Sequence, residues 1–180
     1  ALTLAEDERI KNILLNNESG DYNLDKLSQK MREYTNFKNV WFHIINKDGF
    51  SVYRSWTNNK NDKIENFRLD LQELLKNPSV KSSISVGIYD ITFKSMIPLY
   101  KNDKFIGILE SITHFNSITK ELTDSHGVEP IILVNSIFTK QLENNGFTKI
   151  FLQNHYIANL SVSKKILDYL EHKEIDDFLE

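Results

Sequence analysis

The chain has 180 residues, with 22 Lys and Arg against 25 Asp and Glu for a formal charge of −3, and it contains no Cys. That length suits one domain, or one domain with an appendage, and buries roughly two-thirds of the unfolded surface without a disulfide or metal staple. The missing Cys excludes thiol chemistry and Cys-ligated zinc, and Lys scattered among Asp and Glu excludes the basic stripe of a nucleic-acid binder.

No run of 18 apolar residues is present, so nothing in the chain reads as a membrane-spanning helix or a secretory leader. The chain starts inside a helical pattern, "LTLAEDERIKNILL", and without Met, which is the expectation for a piece of a longer protein. Leu4, Ile10, Ile13 and Leu14 follow a helical period until "NNESGD" breaks it. A second helix is expected from Leu24 to Tyr34, with Leu24, Leu27, Met31 and Tyr34 on one face and Asn23 as its cap.

At Val40 the period changes. "NVWFHIINKDGFSVYRSW" is apolar, β-branched and aromatic around a Lys-Asp-Gly turn, which predicts a β-hairpin turning at residues 47–49. After a polar loop, Ile64, Phe67, Leu71, Leu74 and Leu75 recur at helical spacing, and Pro78 closes that helix. Three strands are expected next, over "SVGIYDI", "TFKSMIPLY" and "KFIGILESITHF", the last two joined by the turn "KNDK". Asn116 is placed to cap a further helix that Gly127 stops. The tail predicts a strand at "PIILV", a helix over "SIFTKQLE", a strand near "FTKIFLQ" and a closing helix carrying Val162, Ile166, Leu167 and Leu170.

Strand, strand, helix, strand, strand, strand from residue 39 to 115 predicts an α+β fold: a PAS-like five-stranded antiparallel sheet, preceded by a long N-terminal helix and followed by a smaller C-terminal α/β extension. The boundaries are 1–38 for the N-terminal helices, 39–115 for the core and 116–180 for an extension that could be a reduced second module.

Within that core, strict alternation sends Phe50, Val52, Arg54 and Trp56 to one face. Glu110 shares a face with Ile106, Ile108, Ile112 and His114, and Lys94 shares one with Met96. Arg54, Arg68 and Lys94 would then surround one inward carboxylate, a surplus of positive charge that an anionic ligand could answer. The alternative is an internal Arg54–Glu110 ion pair, with Arg68 and Lys94 reaching to water. His43, between Phe42 and Ile44, reads either as a core imidazole or as a ligand contact. Trp56 and Tyr89 read either as wall packing or as pocket lining.

No GxSxG, HExxH or phosphate-cradling Gly-rich loop is present, and His43, His114, His126, His155 and His172 are dispersed. An enzyme, a metal site and a cofactor are therefore not expected. His155 in "NHYIANLS" reads as a loop or strand edge.

"VWFHIINKDGFSVYRSW", "IENFR" and "MIPLYKNDKFIGILES" together resemble the extracytoplasmic Cache sensor domains of bacterial chemoreceptors, histidine kinases and diguanylate cyclases, in particular a double-Cache subgroup. The resemblance covers residues 39–115 and implies that Arg54, Trp56, Arg68, Lys94 and Glu110 lie in or around a ligand pocket. Thr57 follows Trp56 where the amino-acid-sensing pattern has Tyr. It further implies a periplasmic or extracellular domain of an inner-membrane protein, joined to the membrane by flanking helices outside this chain, that binds a small anionic or zwitterionic solute and admits a homodimer. The competing expectation is a cytoplasmic PAS- or GAF-like interaction domain whose pocket is filled by its own side chains.

Overall fold

The structure is a computed structural model, and it describes residues 2–16, 23–35, 40–64, 68–86, 91–139, 142 and 148–175. The chain divides into two compact units, one of residues 1–84 with 93–113 and the other of residues 85–92 with 114–180.

The first block is helical, but in two pieces, α1 (Leu2–Ala5) and α2 (Glu8–Asn16), where the apolar period alone suggested one long helix. The break comes from Asp7, whose carboxylate accepts the Arg9 backbone N–H at 2.9 Å and so caps α2. The next helix, α3 (Leu24–Tyr34), has the expected bounds, and its cap Asn23 accepts from the Lys26 N–H at 2.9 Å.

Strands β1 (Trp41–Asn46) and β2 (Ser51–Arg54) form the hairpin around residues 47–49, with Gly49 at φ 81°. Helix α4 (Leu69–Lys76) follows. Ile64, assigned to this helix by period, lies outside it, and Phe67 falls outside the described residues. β3 (Lys81–Val86), β4 (Ile91–Lys101) and β5 (Lys104–His114) complete the sheet, in the order β2-β1-β5-β4-β3. The first of these begins earlier than expected, at Lys81 instead of Ser85. The β4–β5 turn carries Asn102 and Asp103 at φ 49° and 60°, the two positive values that a tight two-residue hairpin needs and that Asn and Asp tolerate.

Each face of this sheet has its own cover. On one side Phe42, Ile44, Ile97, Leu99 and Leu109 pack with Ile10, Ile13 and Leu24 of the N-terminal helices. On the other Ile45, Met96 and Ile108 meet Leu71 and Leu74 of α4. Gly107 is what lets α2 come so close: a Cβ there would stand 2.3 Å from the Ile45 carbonyl oxygen and 2.9 Å from Leu14 Cδ1. Gly107→Ala is therefore expected to cost about 1–3 kcal/mol, the usual price of overpacking, read as a lower urea midpoint at unchanged slope.

The second unit carries α5 (Phe115–His126), β6 (Leu133–Asn135), a 3-10 turn at Ser136–Phe138, β7 (Phe151–Leu152), β8 (His155–Ile157) and α6 (Lys164–Glu171). Gly127 ends α5 in the left-handed region at φ 64°, as its position suggested. Asn116 does not cap that helix; its side-chain oxygen accepts the Leu160 N–H at 2.8 Å. The helix expected over "SIFTKQLE" is a 3-10 turn at its start, and most of its remainder lies outside the described residues. A three-stranded sheet in the order β6-β8-β7 places His155 in its central strand, buried, and not in a loop. Leu152, Ile157 and Ile175 form its core with Val162, Leu167 and Leu170, while Ser163 caps α6.

Candidate ligand-binding site

The α4-facing side of the sheet gathers the polar residues. In β1, His43 shares parity with Ile45, and its cross-strand partner in β5 is Glu110, which in turn shares parity with Ile108. Lys94 shares parity with Met96 in β4. Charged and ring groups thus sit on the same surface as an apolar cluster, which has to be answered by specific partners because a dry, unpaired charge costs several kcal/mol.

Glu110 is fully buried, and its two oxygens are divided between two elements. Oε1 accepts from Arg68 Nη2 at 2.7 Å and Oε2 lies 3.1 Å from His43 Nδ1. Burial works against its ionisation, but Arg68, the His43 hydrogen bond and Lys94 together outweigh it and hold the carboxyl well below the usual range. Arg68, at the cap position of α4, also donates from Nε and Nη2 to Asp70 at 2.8 and 2.7 Å. Asp70 is fixed by the Leu71 N–H at 2.9 Å and the Ser83 hydroxyl at 3.1 Å. Its burial opposes ionisation, and the Arg68 hydrogen bonds and charge overcome that, lowering its pKa.

His43 is the hub between strands. Its Nε2 lies 2.9 Å from Ser51 Oγ, and its ring meets Trp56 edge-on with centroids 5.5 Å apart. Trp56 also stacks on Trp41 at 5.2 Å and 23°. Burial pushes the His43 imidazole toward the neutral form, more strongly than the neighbouring Glu110 pulls it back. Lys94 is buried as well and its pKa is lowered to about 8; desolvation and Arg68 outweigh Glu110 and Asp70.

Arg54 does not form the internal pair with Glu110 that the sequence allowed. Its guanidinium makes a two-pronged contact with Asp62, at 2.7 and 2.6 Å, and donates to the Asn59 carbonyl at 2.9 Å. The polar loop after β2 is thereby folded back, with Ser51 N–H donating to the Asp62 carbonyl and Asn61 N–H to the Ser51 carbonyl. Arg54 does not pair with Glu110; Arg68 does. Strict alternation also fails in β2. The register shifts between Ile44 and Ile45, where Ile44 faces Tyr53 but Ile45 faces Ser51, so Val52 is the extra residue of a bulge. Val52 and Tyr53 therefore both pack toward the N-terminal helices, whereas Ser51 and Arg54 share the His43 side.

The expected cation surplus is also corrected. Among the described residues on this face, Arg54, Arg68 and Lys94 stand against Asp62, Asp70 and Glu110. Asp62 and Asp70 were missed by pattern, although an Arg-x-Asp step at a helix start is a legible signal for a local pair. Tyr89 lies outside the described residues. An open cleft of about 680 Å³ is lined by Met31 and Val40 on the α3 side and by Phe93, Ser95, Ser111 and Thr113 of the sheet, with Lys94 and Ser83 also in its lining.

Residues 2–162 match the family model dCache_3, the double sensory domain of two-component sensor kinase. The chain belongs to this double-Cache sensory family. Solved structures agree with the Cache fold. The sensor domain of Escherichia coli DcuS superposes with a TM-score of 0.54 at 16% identity, over 69% of this chain and 90% of that one. A domain of a sensory box/GGDEF family protein from Vibrio parahaemolyticus gives 0.55 at 14% identity, over 82% and 64%. The sensor domain of the histidine kinase DctB from V. cholerae gives 0.50 at 11% identity, over 66% and 48%. This Cache chain thus spans nearly all of the DcuS domain but under two-thirds of the two Vibrio chains, and identities this low speak for fold alone. No curated protein matches the sequence. Among the described residues of the Cache domain, no helix is long and apolar enough to cross a membrane, and no group of His, Asp and Glu is arranged to hold a metal ion.

Proposed function

We propose that this Cache domain is the extracytoplasmic input of a bacterial membrane receptor, a chemoreceptor, histidine kinase or diguanylate cyclase, and that it binds a small carboxylate-bearing solute on the α4-facing side of the first sheet. The observation that carries this is the collection of His43, Arg54, Arg68, Lys94 and Glu110 on one face beside the Trp41–Trp56 stack. A face with only a structural task would be cheaper to fill with apolar side chains, since a buried ion pair seldom stabilises more than a well-packed hydrophobic replacement. Arg54 or Arg68 offers the planar pair of donors that matches a carboxylate, and Trp56 the wall that keeps water from it. The role is binding, not catalysis, and the smaller three-stranded unit is proposed as a reduced second module. Flanking membrane helices outside this chain would carry the signal, through a homodimer.

A second reading has one observation in its favour: Arg54 and Arg68 are both engaged by protein carboxylates, as they would be in an interaction domain with a self-filled pocket. A thermal-shift screen of acetate, propionate, pyruvate, succinate, amino acids and neutral sugars separates the two. Under the proposal, a solute at 100 times its dissociation constant adds about 2.7 kcal/mol, very roughly 5–10 °C in Tm. Those shifts are expected to vanish in Arg54→Ala or Arg68→Ala. Neutral hits alone, or none, favour the self-filled pocket.

A further inference from the structure

The charge balance of the site limits what can enter it. Arg54 already has both of its outer nitrogens on Asp62, and Arg68 is shared between Asp70 and Glu110. Among the described residues, with Lys94 protonated and His43 neutral, three positive and three negative groups cancel. A carboxylate ligand that docks here brings an uncompensated negative charge into a surface where Glu110 is fully buried and His43 and Lys94 nearly so. Low-dielectric sites do not hold such an excess; the local groups titrate instead.

We infer that a carboxylate anion is bound together with one proton, and that His43 is the group that takes it. This rests on the proposed ligand site and specifies what that site accepts: the anion plus its proton, with no net charge delivered.

The surroundings of His43 support the assignment. From β5 it faces Glu110, whose Oε2 at 3.1 Å is ready to accept from a protonated Nδ1. From β2 it faces Ser51, whose hydroxyl at 2.9 Å can accept from Nε2–H, and Arg54 across the strand pair. Asp62 lies behind Arg54 in the following loop. Arg68 approaches from α4 and Lys94 from β4, each acting on Glu110, and Asp70 is bound to Arg68. An imidazolium thus has acceptors for both of its N–H groups without any rearrangement of the strands. What keeps the ring neutral is burial, with the charges of Arg54 and Arg68 adding to it. An anion seated against those arginines removes that opposition. Lys94, already charged below about pH 8, takes the corresponding role only in the alkaline range.

The test is isothermal titration calorimetry of the intact domain with acetate, propionate, pyruvate and succinate, with alanine as the zwitterionic control, from pH 5.5 to 7.5. Each titration is run in two buffers of different ionisation enthalpy. For a monocarboxylate the expected result is a Kd that falls toward tenfold for each pH unit of acidification, with close to one proton taken up per ligand at the acid end. Alanine, which carries its own positive charge, should show neither. In His43→Gln the slope should disappear whatever affinity is left. Should that variant fold poorly, carbon-13 NMR of labelled histidine in the unaltered protein reads the same event as an imidazolium signal appearing on ligand addition. Carboxylate binding with a flat pH profile, a slope that survives in His43→Gln, or an imidazole that stays neutral in the complex overturns the proton inference and leaves the binding site standing. No binding by any carboxylate at millimolar concentration overturns both.

Discussion

Arg68→Ala is expected to lower the unfolding free energy by about 3–5 kcal/mol, the loss typical when one partner of a buried ion pair is removed. The reason is what stays behind. Glu110 is fully buried, and the guanidinium bonded to its Oε1 at 2.7 Å is the largest favourable influence on its charged form. Without Arg68 the carboxylate must either stay charged without that partner or take up a proton. Asp70 loses both of its guanidinium bonds at the same time. Urea denaturation followed by far-ultraviolet circular dichroism measures this as a displaced midpoint. The double variant Arg68→Ala with Glu110→Gln should lose less than the sum of the single losses, because the stranded charge is gone. A loss under 1 kcal/mol in Arg68→Ala would mean that the pair is solvated and that α4 is not held to β5 by charge.

The second large effect is the dependence of stability on pH, which runs through three windows. His43 is kept neutral in the fold, whereas in the unfolded chain it protonates near pH 6.5. The unfolded state then binds the extra proton, so stability falls as the pH drops below about 6.5, with a limiting slope of ~1.4 kcal/mol per pH unit. Glu110 and Asp70 have folded pKa values below their unfolded ones. Their contribution is present above about pH 4.5 and is lost as the pH falls toward the folded values. The two windows add, and a steep acid limb should result. Lys94 acts at the other end: because its pKa is lowered to about 8, stability should rise between about pH 8 and 10.5, where the unfolded lysine holds a proton that the folded one has released. Urea midpoints from pH 3 to 10 check all three. His43→Gln should flatten the region between pH 5 and 6.5, Glu110→Gln the region below 4.5, and Lys94→Met the alkaline rise. An acid limb unchanged in both of the first two variants would assign it to surface carboxylates instead.

These effects bear on signalling because the same side chains join three elements. Glu110 of β5 is tied to β1 through His43 and to the start of α4 through Arg68, while Arg54 ties the loop after β2 back onto the sheet. Under the proposed function, a solute that competes for either arginine would act directly on the loop or on α4. That gives it a differential interaction with two arrangements of the site, which any ligand-driven shift requires.

The order of elements from α3 to α5 was legible from the sequence because it depends on short-range patterns. α3 begins behind Asn23 because an Asn side chain satisfies a free N–H of the first turn, and the β1–β2 hairpin turns at residues 47–49 because that run combines turn residues with flanking strand patterns. Gly127 stops α5 for the same kind of local reason. The choice of His43, Arg54, Trp56, Arg68, Lys94 and Glu110 as candidates was also local, since each places a polar or aromatic group in an apolar stretch. What those groups do was decided by the tertiary structure. The bulge at Val52 depends on how β2 pairs with β1, and it reverses the parity on which Arg54 had been placed. The partner of Glu110 comes from 42 residues earlier, at the start of α4, and no periodicity encodes that meeting. Whether a cation is in surplus or matched depends on which carboxylates fold next to it, and Asp62 and Asp70 do so only because the loop after β2 and the cap of α4 close over the same face of the sheet.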